Sequence, residues 1–198
     1  MLIMAGCGKD DKTTAPTNNN APFTFLKVGN EWEYSHYLNG EFMNKWTETI
    51  ISENNGFFRY EMNINPEYVA YEFTSGEYWK TGIVPPKEDQ TIDPSLIDRG
   101  WVLLYRNCYV GQKWDIDGFD EFFEVLSISE TVTTEVGTFN NCIKVRSTEK
   151  VPTDLNLLYT QYHWIHKDVG IIKTEGWVHY PFISVYEPTL TILTGKNF

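Results

Sequence analysis

From Phe23 onward, apolar and polar side chains alternate along most of the chain. In the stretch Glu31–Leu38, the residues Trp32, Tyr34, His36 and Leu38 fall on one strand face. Glu31, Glu33 and Ser35 fall on the other, the pattern of a sheet that is wet on one side. Asn39-Gly40 then supplies a two-residue hairpin turn, which needs positive φ at both positions. A second strand runs over roughly 41–52, and Asn54-Asn55-Gly56 turns the chain again. Phe58, Tyr60, Met62 and Ile64 next alternate with Arg59, Glu61 and Asn63. Three strands joined by tight turns form a meander. The same signals predict strands at about 68–74, 77–84, 101–106, 112–117, 119–128, 130–137, 141–149, 157–167, 170–180 and 183–194. Apolar residues at i, i+3, i+4 and i+7 are lacking, apart from one short helical turn expected at Asp93–Asp98 inside the polar stretch Pro85–Gly100. The pattern predicts an all-β fold with very little helix.

One segment recurs. Leu26-Lys27-Val28-Gly29-Asn30-Glu31-Trp32 is echoed by Cys108-Tyr109-Val110-Gly111-Gln112-Lys113-Trp114, with Val-Gly-x-x-Trp in both at an offset of 82. Glycine at the same place suggests a backbone position that a side chain would block, just before a strand anchored by Trp. Two related meander halves follow from the echo.

Composition narrows the class. The chain has 198 residues, 41% of them apolar and 16% aromatic, enough for one domain with a substantial core. Such content excludes wholesale disorder. Its 16 basic and 27 acidic side chains give a net charge of −11. With no basic tract, nucleic acid is not an expected partner. The longest apolar runs, such as Trp101–Tyr105, are too short to span a bilayer.

The first residues read as an address. Met1-Leu2-Ile3-Met4-Ala5-Gly6-Cys7 resembles the end of a bacterial lipoprotein signal peptide, in which the cysteine thiol takes a diacylglycerol and the preceding bond is cut. Small residues such as Ala5-Gly6 let the peptidase reach the backbone. The resemblance makes residues 1–6 the remnant of a signal peptide, Cys7 the lipid-attachment site and 7–22 a lipidated tether. A true start upstream, or a shortened leader, is expected because a signal peptide needs a longer apolar segment. Residues 8–22 hold no large apolar side chain, and their Thr, Pro and Asn content suits a flexible linker. Lys9-Asp10-Asp11 resembles the Lys-acid-acid export signal of surface lipoproteins in Bacteroides-like bacteria; a solvated charge cluster is the alternative reading. Lys9 and Lys12 cancel Asp10 and Asp11, so the −11 belongs to residues 23–198, read as a single β domain. The expected location is the outer membrane of a Gram-negative envelope, on its periplasmic side or at the cell surface.

Three further elements carry a family resemblance. Phe25-Leu26-Lys27-Val28-Gly29-Asn30-Glu31-Trp32 comes first. Val136-Gly137-Thr138-Phe139 before Cys142-Ile143-Lys144-Val145 follows, and then Trp164 before Val169-Gly170-Ile171-Ile172-Lys173. The series resembles the DUF3108-like bacterial lipoproteins over residues 23–180. That resemblance implies a curved antiparallel sheet, an open half-barrel built of meanders and similar to periplasmic lipoprotein carriers. In those carriers the concave face holds acyl chains, but a shared fold does not by itself transfer a function.

Candidate chemistry is sparse. His163-Trp164-Ile165-His166 would make a ligand pair on a helix, whereas on a strand residues three apart point to opposite faces. His179 lies on a later strand, and His36 shares the Trp32 face as a packed ring. Cys108 and Cys142 allow two readings: a disulfide closing a loop of about 35 residues and contributing about 3 kcal/mol, or two separate buried thiols. No Gly-x-Ser-x-Gly, phosphate-binding glycine loop or His-Glu-x-x-His occurs. Asp115–Glu121 loosely resembles a calcium loop and reads better as a hairpin turn at Asp117-Gly118. Trp46, Trp79, Trp101 and Trp177 either fill the bend of the sheet or line a groove. No catalytic residue, metal or cofactor is assigned. The expected function is a non-catalytic envelope lipoprotein, membrane-bound through Cys7, that binds an apolar or small ligand or a protein partner. A glycan-binding accessory of surface polysaccharide uptake is one alternative; a metal-assisted hydrolase using His163 or His166 is the other.

Overall fold

The computed structural model describes residues 23–74, 77–83, 101–115, 121–151, 154–180 and 185–198. The leader, Cys7 and the tether lie outside these residues, as do the 93–98 turn and most of the Asp115–Glu121 run. Twelve strands follow one another: β1 (Glu31–Leu38), β2 (Glu41–Asn54), β3 (Phe57–Met62), β4 (Asn65–Thr74), β5 (Tyr78–Ile83), β6 (Trp101–Tyr105), β7 (Lys113–Asp115), β8 (Glu121–Thr134), β9 (Gly137–Val151), β10 (Asp154–His166), β11 (Gly170–Tyr180) and β12 (Val185–Lys196). They form one sheet in the order β6-β5-β4-β3-β2-β1-β12-β11-β10-β9-β8-β7. Every neighbouring pair is antiparallel. Two six-stranded meanders are thus joined where β1 pairs β12. The fold is all-β, a curved antiparallel sheet that does not close into a barrel.

Local chemistry explains the turns. Asn39 and Gly40 take φ of 51° and 82°, and Asn55 and Gly56 take the same two values, as a type I′ hairpin requires. One boundary departs from the alternation. The expected strands 119–128 and 130–137 are a single strand, β8, and the hairpin turn falls at Glu135-Val136. The register of β8 against β9 slips at Val125/Ser127, Ser127/Glu130 and Glu130/Val132. Bulges, which bend a strand without ending it, therefore stand around the expected break at residue 129. This bent half of the hairpin reaches over to β11 and β12.

The 82-residue echo is structural. Gly29 and Gly111 have φ of +89° and +86°. Gly29 N–H donates to Ile50 O and Gly111 N–H to Val125 O, each at 2.8 Å. Ile50 N–H returns a bond to Asn30 O, and Val125 N–H to Gln112 O, each at 3.0 Å. Nothing lies within 4 Å of a Cβ built on either glycine, so steric blocking is not the reason for them. The left-handed backbone is. Both Trp residues that follow are buried and donate their indole N–H to a carbonyl, Trp32 to Val169 O and Trp114 to Val102 O at 2.8 Å.

That last bond matters for the architecture. By the repeat, β7 against β6 is the counterpart of β1 against β12, but β7 and β6 are the two ends of the sheet and form no ladder. Trp114 bridges them instead, edge-on to Tyr105 at 5.3 Å and stacked on Phe123 at 5.4 Å. The inner face is filled by Phe25, Trp32, Trp79, Leu104, Val145 and Ile165 with their neighbours.

If the positive φ is the reason for the paired glycines, Gly29→Ala and Gly111→Ala should each cost about 1–2 kcal/mol in urea unfolding, by similar amounts. Unchanged midpoints would show that the backbone relaxes there at no cost.

Candidate functional site

On the inner face, cross-strand pairing sets Val145, His163, Thr174, Thr191 and His36 in a row from β9 to β1. His163 hydrogen-bonds Ser147 Oγ through Nε2 at 3.3 Å and Thr174 Oγ1 through Nδ1 at 3.2 Å. Burial pushes its pKa down to about 4. A serine, an imidazole and a hydroxyl in series have the outline of a nucleophile with its base. Ser147, however, is buried, and the group behind the ring, at Nδ1, is the Thr174 hydroxyl and not a carboxylate that would stabilise an imidazolium. His166 packs edge-on to Phe139 at 5.9 Å and accepts a bond from Asp168 N–H at 3.2 Å. The two histidines have separate partners, as the strand period dictates. His36 meets Thr191 Oγ1 at 3.1 Å and lies 6.2 Å from the Trp46 ring. His179 lies in β11 and Trp101 in β6, their side chains outside the described set. Among the described residues, no three His, Cys, Asp or Glu side chains are placed to share a metal ion.

Below this row the inner face holds a half-open pocket of about 30 Å³, lined by Phe25, Trp32, Glu48, Tyr60, Trp79 and Ile171 among others. That volume suits about one water; an acyl chain does not fit. Glu48 accepts the Trp46 indole N–H at 2.9 Å. Burial among the rings nonetheless raises its carboxyl above the usual range, and the indole bond opposes the rise. Trp79 Nε1 has no hydrogen-bond partner among the described residues.

Cys108 and Cys142 are buried, free thiols. Burial raises both pKa values, that of Cys142 to about 11, and Cys142 Sγ donates to Phe139 O at 3.5 Å. Neither has the character of a nucleophile.

The outer face offers more room. Tyr162 and Glu175 alternate with the inward His163 and Thr174, so they point out. Glu175 faces Leu190, and Leu190 faces Tyr37. With Trp177 and Pro188 they line a groove of about 410 Å³, the size of a small-ligand site. Trp177 is 50% exposed, whereas Trp32, Trp79, Trp114 and Trp164 are buried. Trp46 is half-buried on the inner face. One row away, the Lys144 and Lys173 ammonium groups lie 4.6 and 4.7 Å from the Trp164 ring centre and cover it. Lys173 also pairs with Glu175. Trp177 was a candidate from sequence. Tyr37, Tyr162 and Leu190 were not, because only the β1–β12 and β10–β11 pairings bring them together. Glu48 carried no signal except its place two residues from Trp46.

The model of a family described as DUF3108-like matches residues 80–179, half of the chain, and the chain belongs to that family. Among solved structures, the chain is similar to a protein of YmcC-like fold from Bacteroides fragilis, inferred to be exported. Identity is 16%, the match covers 90% of this chain and 100% of that one, and the TM-score is 0.52. It also matches the hypothetical lipoprotein YmcC from Escherichia coli at 11% identity, 90% of either chain and a TM-score of 0.40. No curated protein matches the sequence.

The buried groups set a pH dependence. His163 titrates near 4 when folded and near 6.5 when unfolded, so above 6.5 it has no effect. As pH falls from 6.5 to 4 the unfolded chain takes up the proton first, and stability drops by up to about 3 kcal/mol. In His163→Gln this part of the slope should vanish from urea midpoints measured across that range. An identical slope would mean that the imidazole is not buried neutral. Glu48 has the opposite sign: its ionisation opposes folding above the ordinary carboxyl range, so Glu48→Gln should raise the midpoint at pH 7.

Proposed function

We propose that this DUF3108-like chain is a non-catalytic binding lipoprotein of the Gram-negative envelope, anchored through Cys7 in the outer membrane, and that it takes a small ligand in the outer groove. The lipoprotein reading is supported by the Ala5-Gly6-Cys7 motif and by the exported character inferred for the Bacteroides fragilis neighbour. The groove itself carries the binding reading. A half-exposed Trp177 beside Tyr37, Tyr162 and Leu190 costs the folded chain solvent-exposed aromatic surface, while Trp32, Trp79, Trp114 and Trp164 are buried. A non-catalytic role agrees with His163 held neutral between two hydroxyls and with the raised thiols.

A sugar is the second reading, favoured by Glu175, which lines the groove together with Trp177. An indole stacks on a sugar ring while a carboxylate accepts its hydroxyls.

Native mass spectrometry of the chain extracted from its own host tests the proposal. A small molecule should be retained, and Trp177→Ala, which alters an exposed side chain, should lose it, with affinity weakened about tenfold or more. The mass of the retained species separates a glycan from an apolar ligand. A ligand held equally by Trp177→Ala, or no ligand on either chain, contradicts the assignment.

A further inference from the structure

The two copies of the repeated segment plug the same end of the half-barrel. In the first, Phe23 and Phe25 pack on Trp79 at 6.2 and 4.8 Å, and Thr24 Oγ1 donates to Asp168 at 2.9 Å. In the second, the Cys108 thiol lies within the electrostatic reach of Lys167. Asp168 and Lys167 belong to one turn, between β10 and β11, so both segments converge on it. Leu26 and its counterpart Cys108 are buried. The next residues are not: Val28 is 48% exposed, Tyr109 63% and Val110 57%. Apolar side chains thus stand out at equivalent positions of both copies, each just before its positive-φ glycine.

Charge singles out the same end. The segments that meet there (23–31, 53–57, 77–78, 105–113, 134–137, 166–170 and 195–198) hold five basic and five acidic side chains, so the chain's −11 lies elsewhere. The chain outside the described residues also joins the domain here, at Phe23.

We propose that this plugged end faces the bilayer, with Val28, Tyr109 and Val110 dipping into the lipid interface. The inference rests on acylation of Cys7, proposed above. Residues 8–22 span at most about 58 Å between that cysteine and Phe23, which keeps this end of the domain within reach of the membrane. An end without net charge approaches an anionic leaflet free of the repulsion that the acidic remainder meets. Apolar and tyrosine side chains gain from the interfacial zone.

The test uses the full, lipidated chain on phosphatidylethanolamine–phosphatidylglycerol vesicles. An environment-sensitive fluorophore is placed on Val28→Cys, Val110→Cys or Phe42→Cys, with Cys108 and Cys142 protected by burial. Phe42 is 57% exposed at the opposite end, beside the Asn39-Gly40 turn. Emission at 28 and 110 should shift to the blue on vesicles and be quenched by brominated acyl chains, and emission at 42 should not. If the chain floats with the vesicles while 28 and 110 stay as in water, or all three sites shift alike, this orientation is wrong and the lipoprotein reading stands. Failure to float, together with an unmodified Cys7 by mass, removes both.

Discussion

The indole of Trp114 stands where the two ends of a twelve-stranded sheet come together. A sheet with no helix among its described residues has only itself to cover its inner face. It must curl until strands on opposite sides bury one another, and curling brings β6 and β7 face to face. A full ladder there would make a closed barrel. Instead one N–H bond from Trp114 to Val102 O and one edge-on ring contact with Tyr105 span the seam, while Phe123 of β8 backs the indole from its own side. The corresponding place in the first half, β1 against β12, carries a ladder of seven residue pairs. The same tandem unit is zipped at one seam and pinned by a side chain at the other.

What fills the curl decides what chemistry remains. Among the described residues, rings and the buried side chains Phe23, Phe25, Leu26 and Cys108 pack the inner face, beside a pocket of about 30 Å³. Titratable groups caught inside cannot keep their ordinary ionisation. His163 is held neutral by a depressed pKa, and Glu48 is pushed toward its neutral acid by a raised one. Both shifts follow from one cause, the loss of water around a charge. Among the described residues the roomier groove is on the outer face, where the β10–β11, β11–β12 and β1–β12 pairings align Tyr162, Leu190 and Tyr37 beside Trp177.

Period-two alternation and Asn-Gly turns made β1, β2, β3 and the type I′ hairpins legible, because those signals act between residues close in sequence. The assignment of Trp32, Tyr34 and His36 to one face holds, and β11 matches its expected span of 170–180. Ser35, expected on the wet face, is buried, and its hydroxyl meets Thr194 Oγ1 at 3.4 Å. Bulges were not legible. They leave the alternation locally broken, so two strands, 119–128 and 130–137, were expected where β8 runs on through residue 129. The echo of Val-Gly-x-x-Trp was visible as letters, but its cause was misassigned to crowding; φ is a backbone property that spacing does not reveal. The groove was the least legible, since its members lie on β1, β10, β11 and β12 and meet only through long-range pairing.

The claim that Trp114 pins an otherwise open seam can be tested by native-state hydrogen exchange of Trp114→Phe, which keeps a stacked ring and deletes the N–H donor. A seam pinned by this bond gives faster exchange confined to β6 and its neighbour β5, with the β1–β12 ladder protected as before. Unchanged protection of β6, or an equal loss of protection over all twelve strands, would contradict it.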